Sequence, residues 1–545
     1  MSLRSNTLFR LALTVVSGVA LGLAFPRFDL NLLAWVAFIP LLYALEDQPL
    51  KDVFGYGWLQ GFACFVLSLY WIVITLHTFA GIPLPIAVLP MLLLAGVMAI
   101  YSAVAFWASE FTARRLRIPL FITLPIIWTG VEWVRSFFPI GFPWNLVGYT
   151  AYRNLDLIQF AEVTGVYGIS ALILFFNAVL YAVLFRRYTP RAQTASLGAL
   201  TAMILAAVIF GSLRVHQLEH APAKGELRIA MVQGDIPQSI KWNPEYLRSS
   251  FKVYVTQSEV AAKQKPDLIV WPEAAAAFLF QPTAQYPAQF ELDAAYRAAL
   301  LKLARTTGDP ILFGAPALGR EDNEIGFYNR AYLVSGQGRV VAHYDKIQLV
   351  PFGEYIPLRS LIGPFVHRIV KGFGDLFPGR VQTIFTVKKA HLGVLICYES
   401  VFPDLARRAV KRGADMLINI TNDAWYGESS APYQLLAMAA MRSVETKVPM
   451  VRVANTGISA VIMPTGQITA RTPLFKRGTE IEDVAWRPER TIYTEIGDVF
   501  AEVCFGVGVL LVIAALFRPR RMNRLEEHVS RISASKGRGN GVSAA

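Results

Sequence analysis

The sequence contains few cysteines and few charged residues for its length. Three cysteines occur among 545 residues, namely Cys64, Cys397 and Cys504. Cys64 and Cys504 lie inside apolar runs, which argues against a disulfide framework. Charged residues make up 17% of the chain, whereas soluble domains contain about 25%. The seven histidines do not fall at metal-ligand spacings with the cysteines, so the sequence predicts no metal site and no other cofactor.

Apolar residues, by contrast, are abundant, at 54% of the chain with a mean hydropathy of +0.41. Eight apolar runs approach the roughly 20 residues that a helix needs to cross a hydrocarbon core, although the second and fifth are short. The runs are 8–25, 30–45, 54–76, 86–107, 118–134, 166–185, 197–213 and 500–517. The first is followed at once by further apolar runs and has no clear cleavage site, so we interpret it as a span and not as a signal peptide. The sequence thus predicts a polytopic α-helical membrane bundle with eight spans.

The distribution of arginine predicts the orientation of these spans. If the N-terminus is cytoplasmic, the arginine clusters at 114–117, 186–191 and 518–524 fall on the cytoplasmic side, as the positive-inside rule requires. A few single arginines would lie on the outer side, against this rule. An even number of spans leaves both termini inside and the 214–495 insert outside, which in a bacterium is the periplasmic side of the inner membrane. The clusters also account for the net charge of +13 without a nucleic-acid partner.

The 214–495 insert has a different pattern, in which short apolar strands alternate with helical segments. The predicted strands are 227–233, 267–271, 310–313, 328–334, 339–343, 392–396, 415–420 and 450–454. The predicted helices are 249–263, 292–306, 401–412 and 433–446. This alternation is typical of one large α/β sandwich with buried sheets. We therefore divide the chain into seven spans at 1–213, the insert, an eighth span at 496–518 and a basic tail at 519–545 that we expect to be disordered.

Three polar residues follow predicted strands directly and together suggest acyl-transfer chemistry. Glu273 lies before a run of alanines, where apolar surroundings would raise its pKa towards neutrality and make it a general base. Lys346 can hold the oxyanion of a tetrahedral intermediate. Cys397 ends the strand 393–396 and can act as the nucleophile, and a neighbouring cation would favour its thiolate. Alone, each has an ordinary alternative: a helix-capping glutamate, a solvated lysine or a core cysteine. Together they supply the parts needed for a thioester mechanism.

The motifs around these residues resemble a known family. The insert resembles the nitrilase, or carbon–nitrogen hydrolase, superfamily, whose Glu-Lys-Cys triad falls on Glu273, Lys346 and Cys397. With the predicted spans, nearly all of the chain up to about residue 518 resembles the apolipoprotein N-acyltransferase family, which acts last in bacterial lipoprotein maturation. Besides the triad motifs, the sequence motifs that resemble those of the family lie at 141–144, 233–242 and 421–427. The resemblance implies an αββα nitrilase-like sandwich seated on the membrane bundle.

The resemblance also implies roles for residues near the triad. They are Glu354, Tyr398 and Glu399 as supporting residues, and Trp242, Trp144 and, on a weaker match, Asn329 as substrate contacts. Trp144 has an alternative interpretation as part of an interfacial aromatic belt. The 362–377 segment alternates apolar residues with glycine and charge. It is either a membrane-facing arm whose Phe365, Val366 and Phe373 contact lipid, or a long loop packed on its own domain.

The resemblance implies a reaction in two steps. Glu273 removes the proton of Cys397, whose thiolate attacks an ester carbonyl of a membrane phospholipid while Lys346 and a backbone N–H near Tyr398 hold the oxyanion. The acyl chain then passes to the α-amine of a diacylglyceryl-cysteine on an apolipoprotein. The expected partners are therefore a phospholipid donor, apolipoprotein acceptors and the bilayer itself.

Two other functions remain open at this point. A membrane-anchored amidase or nitrilase would use the same triad but let water resolve the thioester. A non-enzymatic scaffold or transporter would leave the triad as a coincidence. A further open question concerns Glu132, near the end of the fifth predicted span. An intramembrane carboxylate is a functional candidate, but an interfacial glutamate paired with a nearby arginine is the alternative.

Overall fold

The computed structural model describes residues 6–185, 187–281, 291–321, 324–357, 376–487 and 489–519. Within these ranges, long apolar helices lie at both ends of the chain and the strands lie between them. The 362–375 part of the predicted arm, with Phe365, Val366 and Phe373, lies outside the described residues, so its role stays a prediction.

The helices before the strands form the first part of the membrane half. They are α1 (Thr7–Ala24), α2 (Ile39–Ala44), α3 (Leu50–Ser68), α4 (Trp71–Ile74), α5 (Leu84–Leu116), α6 (Leu120–Arg135), α7 (Leu155–Ile158), α8 (Ala161–Thr164), α9 (Val166–Leu184) and α10 (Pro190–His220). The later helices are α11 (Gln238–Lys241), α12 (Pro244–Ala262), α13 (Glu291–Thr307), α14 (Pro403–Lys411), α15 (Ala431–Thr446), α16 (Ile492–Ile496) and α17 (Val499–Phe517). Single turns of other helix types occur at Asn31–Trp35, Thr75–Phe79, Val147–Ala151, Cys397–Val401 and Asp423–Tyr426.

Five of the described helices, α1, α5, α9, α10 and α17, are long and apolar enough to cross a membrane, and α3 with the 71–79 segment makes a sixth, bent by 47°. These helices agree with a membrane bundle, but they do not reach the predicted count of eight. The predicted span 30–45 is not one helix, because its helical pieces are separated at 36–38. Pro40 lies in the first turn of the second piece, where a proline is tolerated only because a new helix starts there.

Contacts between the start of α1 and the end of this broken segment show its path. Arg10, in the first turns of α1, donates to the carbonyl oxygens of Ala44 and, at 2.8 Å, of Glu46. The chain therefore leaves the far end of α1 at Ala24 and has returned to the level of its start by residue 44. The segment 25–46 therefore runs back along the length of α1 in the opposite direction.

The arginine clusters meet at that same end of the bundle. Arg114 donates to the carbonyl oxygen of Gln48, close to the turn that Arg10 contacts. Arg115 donates to the carbonyl oxygen of Arg518 at 2.8 Å, and Arg518 donates back to that of Arg115 at 2.7 Å. The ends of α5 and α17 are therefore held together at the arginine-rich end, which is opposite the end from which the strands follow α10.

The described part of the insert contains two six-stranded sheets. Their strands are β1 (Gly225–Gln233), β2 (Leu268–Val270), β3 (Ile311–Glu321), β4 (Glu324–Val334), β5 (Val340–Asp345), β6 (Ile384–Val387), β7 (Ala390–Ile396), β8 (Met416–Thr421), β9 (Met450–Ala454), β10 (Ala460–Ile462), β11 (Ile468–Thr469) and β12 (Gly478–Trp486). The strand orders are β12-β1-β2-β3-β4-β5 and β11-β10-β9-β8-β7-β6. At the centre of each sheet three strands run parallel, β1-β2-β3 in one and β7-β8-β9 in the other.

The two sheets pack face to face, with helices on both outer faces. Ile229 and Val270 of the first sheet share a buried apolar core with Val394 and Ile418 of the second. Residues of α12 and α13 pack on the outer face of the first sheet, and residues of α14 and α15 on that of the second. Because parallel strands are buried on both faces, they are apolar throughout. The predicted αββα sandwich is confirmed.

The eight predicted strands are all present, and the sequence missed β6, β10, β11 and β12. β12 was missed because it carries Glu480, Glu482 and Asp483, and such charge is typical of the edge position that it occupies. The predicted start of the insert at 214 is also too early, since α10 continues to His220. Arg214 extends this helix beyond its apolar run by pairing with Glu162 and Glu489.

Candidate active site

The predicted catalytic residues converge because their strands end at the same edge of the sandwich. Glu273 lies just beyond β2, Lys346 directly follows β5, and Cys397 directly follows β7. β5 runs antiparallel to β4, which runs antiparallel to β3, so β5 ends on the same side as the parallel strands. Carboxyl ends of parallel strands are the usual place for a site in such sheets.

Lys346 is the central cation of the site and is fully buried. Its Nζ lies 2.8 Å from Oε1 of Glu354 and 3.4 Å from Oε1 of Glu273. The side-chain amide of Asn329 donates to the same two oxygens, at 3.1 and 2.7 Å. The other oxygen of Glu354 accepts from the backbone N–H of Val350 at 2.8 Å. Asn329 therefore holds the two carboxylates at a fixed separation and supports them, whereas the sequence predicted a substrate contact that stays untested.

Glu273 is held from three further directions. Its Oε2 accepts from the backbone N–H of Asn422 at 2.9 Å, and its main-chain carbonyl accepts from Nζ of Lys241 at 3.0 Å. The thiol of Cys397 interacts with its carboxylate and contributes to lowering its pKa. The carboxylate is therefore aimed at the thiol, in the position that a base for that thiol requires.

Cys397 forms a sharp corner between β7 and a single 3-10 turn. Its φ is +53°, in the left-handed region that costs energy for a residue with a side chain. Its carbonyl accepts from Oγ of Ser400 at 3.1 Å and from the side chain of Asn419 at 3.4 Å. These bonds hold the strained corner, which turns the sulfur out of the sheet and towards Glu273.

Glu399, predicted beside the nucleophile, points into the core and ties this corner to the lysine. Its Oε2 accepts from the N–H of Ile396 at 2.7 Å. Its Oε1 accepts from the hydroxyl of Tyr344 at 2.8 Å and from the N–H groups of Ile347 and Gln348 at 2.6 and 3.1 Å. Ile347 and Gln348 directly follow Lys346, so one carboxylate fixes the nucleophile corner against the segment that carries the cation.

The charges around the site determine whether the Cys397 thiol keeps its proton. Burial raises the pKa of Glu273, but Lys346, Lys241, the hydrogen bond from Asn329 and the interaction with Cys397 outweigh it, so the net pKa is lowered. Burial raises the pKa of Cys397 to about 12, and Glu273 adds to this increase against the opposing charge of Lys346. The resting pair is therefore a carboxylate and a thiol.

This charge distribution corrects one expectation from the sequence and limits another. The raised pKa predicted for Glu273 is wrong, because two buried lysines outweigh its apolar surroundings. Lys346 does lower the pKa of Cys397, as the sequence predicted, but burial and then the Glu273 carboxylate outweigh this effect, so the resting residue is a thiol. Burial lowers the pKa of Lys346, but Glu354 and Glu273 outweigh it and raise the net value, so this lysine stays charged.

An aromatic seam, defined as Trp71, Phe142, Trp144, Tyr398 and Tyr426, joins the site to the membrane half. The ring centroid of Trp144 lies 4.9 Å from that of Trp71, 5.8 Å from that of Phe142 and 6.2 Å from that of Tyr398. Tyr426 packs edge-on against Trp71 at 5.1 Å. Tyr398, which directly follows Cys397, is therefore stacked against the membrane half.

Trp144 is buried within this seam, at 1% exposure, and its indole N–H donates to Gln434 at 2.8 Å. Its predicted contact with substrate stays a prediction. Trp242, by contrast, is 51% exposed and directly follows Lys241. Phe352, two residues before Glu354, is 54% exposed. Exposed aromatic rings therefore stand beside two of the charged residues of the site.

Glu132 lies on α6 and is buried below the seam. Its Oε1 accepts from the N–H of Val147 at 2.8 Å. Arg135, one turn further on, donates to the carbonyl oxygen of Asn145 at 3.4 Å. Both side chains therefore hold the main chain of the segment that carries Trp144. Neither interpretation of Glu132 from the sequence included this contact.

Several residues that hold the site were not predicted from the sequence. Asn422 and Lys241 contact Glu273 directly, and Asp423 forms a fully buried ion pair with Arg452 at 2.7 Å. Lys241 and Asn422 lie in the motifs 233–242 and 421–427, which carried the family resemblance, but no local pattern showed that their side chains turn inwards. Among the described residues, no group of three or more histidine, cysteine or acidic side chains is arranged to hold a metal ion.

Comparisons with known proteins show what the chain is similar to. The sequence profile of the apolipoprotein N-acyltransferase N-terminal domain matches residues 17–179, and that of carbon-nitrogen hydrolases matches residues 228–490. An apolipoprotein N-acyltransferase of Geobacter metallireducens is 38% identical over 94% of this chain and 96% of its own. One from Azotobacter vinelandii is 33% identical over 93% of this chain and 95% of its own. Among solved structures, an amidase from Nesterenkonia sp. is 23% identical, covers 51% of this chain and 95% of its own, and has a TM-score of 0.37.

The charge distribution predicts the effect of Glu273→Gln on the thiol. Because the Glu273 carboxylate raises the pKa of Cys397, its removal should shift the pH profile of Cys397 alkylation by iodoacetamide to lower pH. Loss of one pKa unit would make the reaction at a fixed pH below that pKa about tenfold faster. Peptide mass spectrometry quantifies the modified cysteine, and Glu245→Gln, at an exposed site on α12, is the control. An unchanged profile, or one displaced to higher pH, would contradict the assignment.

Proposed function

The chain belongs to the apolipoprotein N-acyltransferase family, and we propose that it transfers an acyl chain from a membrane phospholipid to apolipoproteins through a thioester on Cys397. In this proposal Glu273 is the general base and Lys346 binds the oxyanion. Enzymes of this name complete lipoprotein maturation, and the profile matches to both halves of the chain support the same activity here.

The first step forms the acyl-enzyme. Glu273 takes the proton of the Cys397 thiol as the sulfur attacks an ester carbonyl carbon of the phospholipid. The negative charge that develops on the carbonyl oxygen is held by Lys346 and by the N–H of Tyr398, which lies in the first turn of a 3-10 helix, where N–H groups have no partner within the helix. The carbon–oxygen bond then breaks, protonated Glu273 returns its proton to the departing oxygen, and a lysophospholipid leaves.

The second step uses the same groups in the opposite direction. The neutral α-amine of a diacylglyceryl-cysteine attacks the thioester carbonyl carbon, and Lys346 again holds the oxyanion. Glu273 accepts a proton from the attacking nitrogen and passes it to the departing sulfur. An amide forms, the Cys397 thiol is restored, and the site is ready for another phospholipid.

One observation carries the choice of a lipid substrate over the soluble amides of an amidase. The residue next to the nucleophile, Tyr398, is stacked on Trp144, which is held by the membrane half through Glu132 and Arg135. A nucleophile beside the seam can receive a substrate from the bilayer. The exposed rings of Trp242 and Phe352 offer apolar surface next to the site. An amidase that acts on soluble amides has no need for such a seam.

The membrane arrangement is part of the proposal. We assign eight crossings, with the broken segment 25–46 as the second and the 16-residue helix α6 as the fifth. The arginine-rich end lies in the cytoplasm together with both termini and the basic tail 519–545. The insert then lies in the periplasm of a bacterial inner membrane, with seven crossings before it and α17 after it.

The turnover experiment separates this function from its rivals. Purified protein is incubated with a phospholipid labelled in its acyl chains and with a synthetic diacylglyceryl-cysteinyl peptide, and products are identified by mass spectrometry. We expect label in an amide on the peptide, none on an N-acetylated peptide, and loss of transfer by at least about a thousandfold in Cys397→Ala, as for removal of other catalytic nucleophiles. Cys64→Ala is the control.

Other outcomes would overturn the proposal in distinct ways. Labelled free fatty acid without transfer to the peptide, together with hydrolysis of small amides, would make the protein a hydrolase. No product from lipid or amide would favour the scaffold or transporter. Full activity in Cys397→Ala would remove the thioester from the mechanism.

The orientation is tested by labelling intact cells with a membrane-impermeant maleimide. In a background in which Cys64, Cys397 and Cys504 are replaced by alanine, we expect Glu226→Cys, at an exposed position of β1, to be labelled once the outer membrane is permeable. Lys51→Cys, at the arginine-rich end, should react only after the inner membrane is lysed. The reverse pattern would contradict the assignment of the insert to the periplasm.

A further inference from the structure

Lys241 is a second buried lysine in the candidate active site. It ends α11 and is 3% exposed. Its Nζ donates to the main-chain carbonyl of Glu273 at 3.0 Å, and among the described residues this is its only hydrogen-bond acceptor. Its charge interacts with the Glu273 carboxylate and with the Cys397 sulfur. A buried ammonium without a paired carboxylate is expensive to maintain, so an explanation for its presence is needed.

The two lysines of the site have different surroundings. Lys346 contacts the carboxylates of both Glu354 and Glu273, and its charge is therefore balanced locally. Lys241 contacts only a main-chain oxygen, and burial lowers its pKa to about 8 although Glu273 and Cys397 oppose this change. Its charge thus acts on the general base and on the nucleophile without being neutralised by either.

We propose that Lys241 is a positioning residue for the general base: its ammonium fixes the main chain at Glu273 and keeps the carboxylate ionised until the thiol proton is removed. The inference rests on the proposed role of Glu273 and adds a residue to it. When the proton passes from Cys397 to Glu273, the negative charge moves from the carboxylate to the sulfur. Because Lys241 acts on both groups, the charge stays under its influence throughout the transfer.

The other groups around Glu273 do not supply this effect independently. Lys346 is shared with Glu354, and in the reaction it must also bind the oxyanion. Asn329 and the N–H of Asn422 donate hydrogen bonds but carry no charge. Asp423, a further acid that acts on the Cys397 sulfur, forms an ion pair with Arg452. Of the charged groups described around the base, Lys241 is the cation that remains available for it.

The test is the pH dependence of thioester formation in the full-length protein. The rate of Cys397 acylation by phospholipid is measured by mass spectrometry from pH 5 to pH 9 for the wild type and for Lys241→Met, which keeps the side-chain length. Without the cation the pKa of Glu273 rises, so its base form is lost at a higher pH. The acid limb of the profile therefore moves to higher pH. We expect a rate about tenfold below wild type at the acid end and within about threefold on the plateau.

Two further variants separate charge from structure. Lys241→Arg keeps the charge and should keep the acid limb of the wild type, even if the overall rate falls. Lys252→Met removes an exposed lysine from α12 and should leave the whole profile unchanged. A uniform loss of rate in Lys241→Met with an unmoved acid limb, or an equal displacement in Lys241→Arg, would overturn the inference. Absence of a thioester in the wild type would instead overturn the proposed function.

Discussion

The ammonium of Lys346 between the carboxylates of Glu354 and Glu273 is the interaction on which the rest of the site depends. It joins the end of β5, the turn that follows it and the segment beyond β2, at distances of 2.8 and 3.4 Å in a fully buried position. A buried charge that loses one partner is strongly destabilising, so these three segments have to stay together. The same charges determine the chemistry, because they leave Glu273 ionised and Cys397 protonated.

Two further connections bring this cluster to the membrane. Glu399 fixes the corner that carries Cys397 against the backbone that follows Lys346. Trp144 then stacks on Tyr398 from the side of the helical bundle. A soluble nitrilase-like site would be complete without the second connection. In the proposed function, this connection gives the sandwich access to a substrate that remains in the bilayer.

The sequence predicted the parts of the molecule that follow from local pattern. The triad was predicted because Glu273, Lys346 and Cys397 each come just after an apolar strand, and the sandwich because strands and helices alternate. Contacts between distant segments could not be predicted in this way. Nothing near Lys241 or Asn422 indicates that both reach Glu273, and the donors that surround Glu399 come from two separate stretches, 344–348 and residue 396. The break in the predicted second span was missed for a related reason, since apolar composition predicts burial in a membrane but not a continuous helix.

The central claim is that Cys397 carries the acyl chain between donor and acceptor. It is tested most directly by isolating the protein after incubation with phospholipid in the absence of any acceptor and sequencing its peptides by mass spectrometry. We expect a fatty acyl group on Cys397, removed by neutral hydroxylamine as a thioester is, and absent when Glu273 is replaced by glutamine. An unmodified Cys397 in protein that has released lysophospholipid, or an acyl group on another residue, would contradict it.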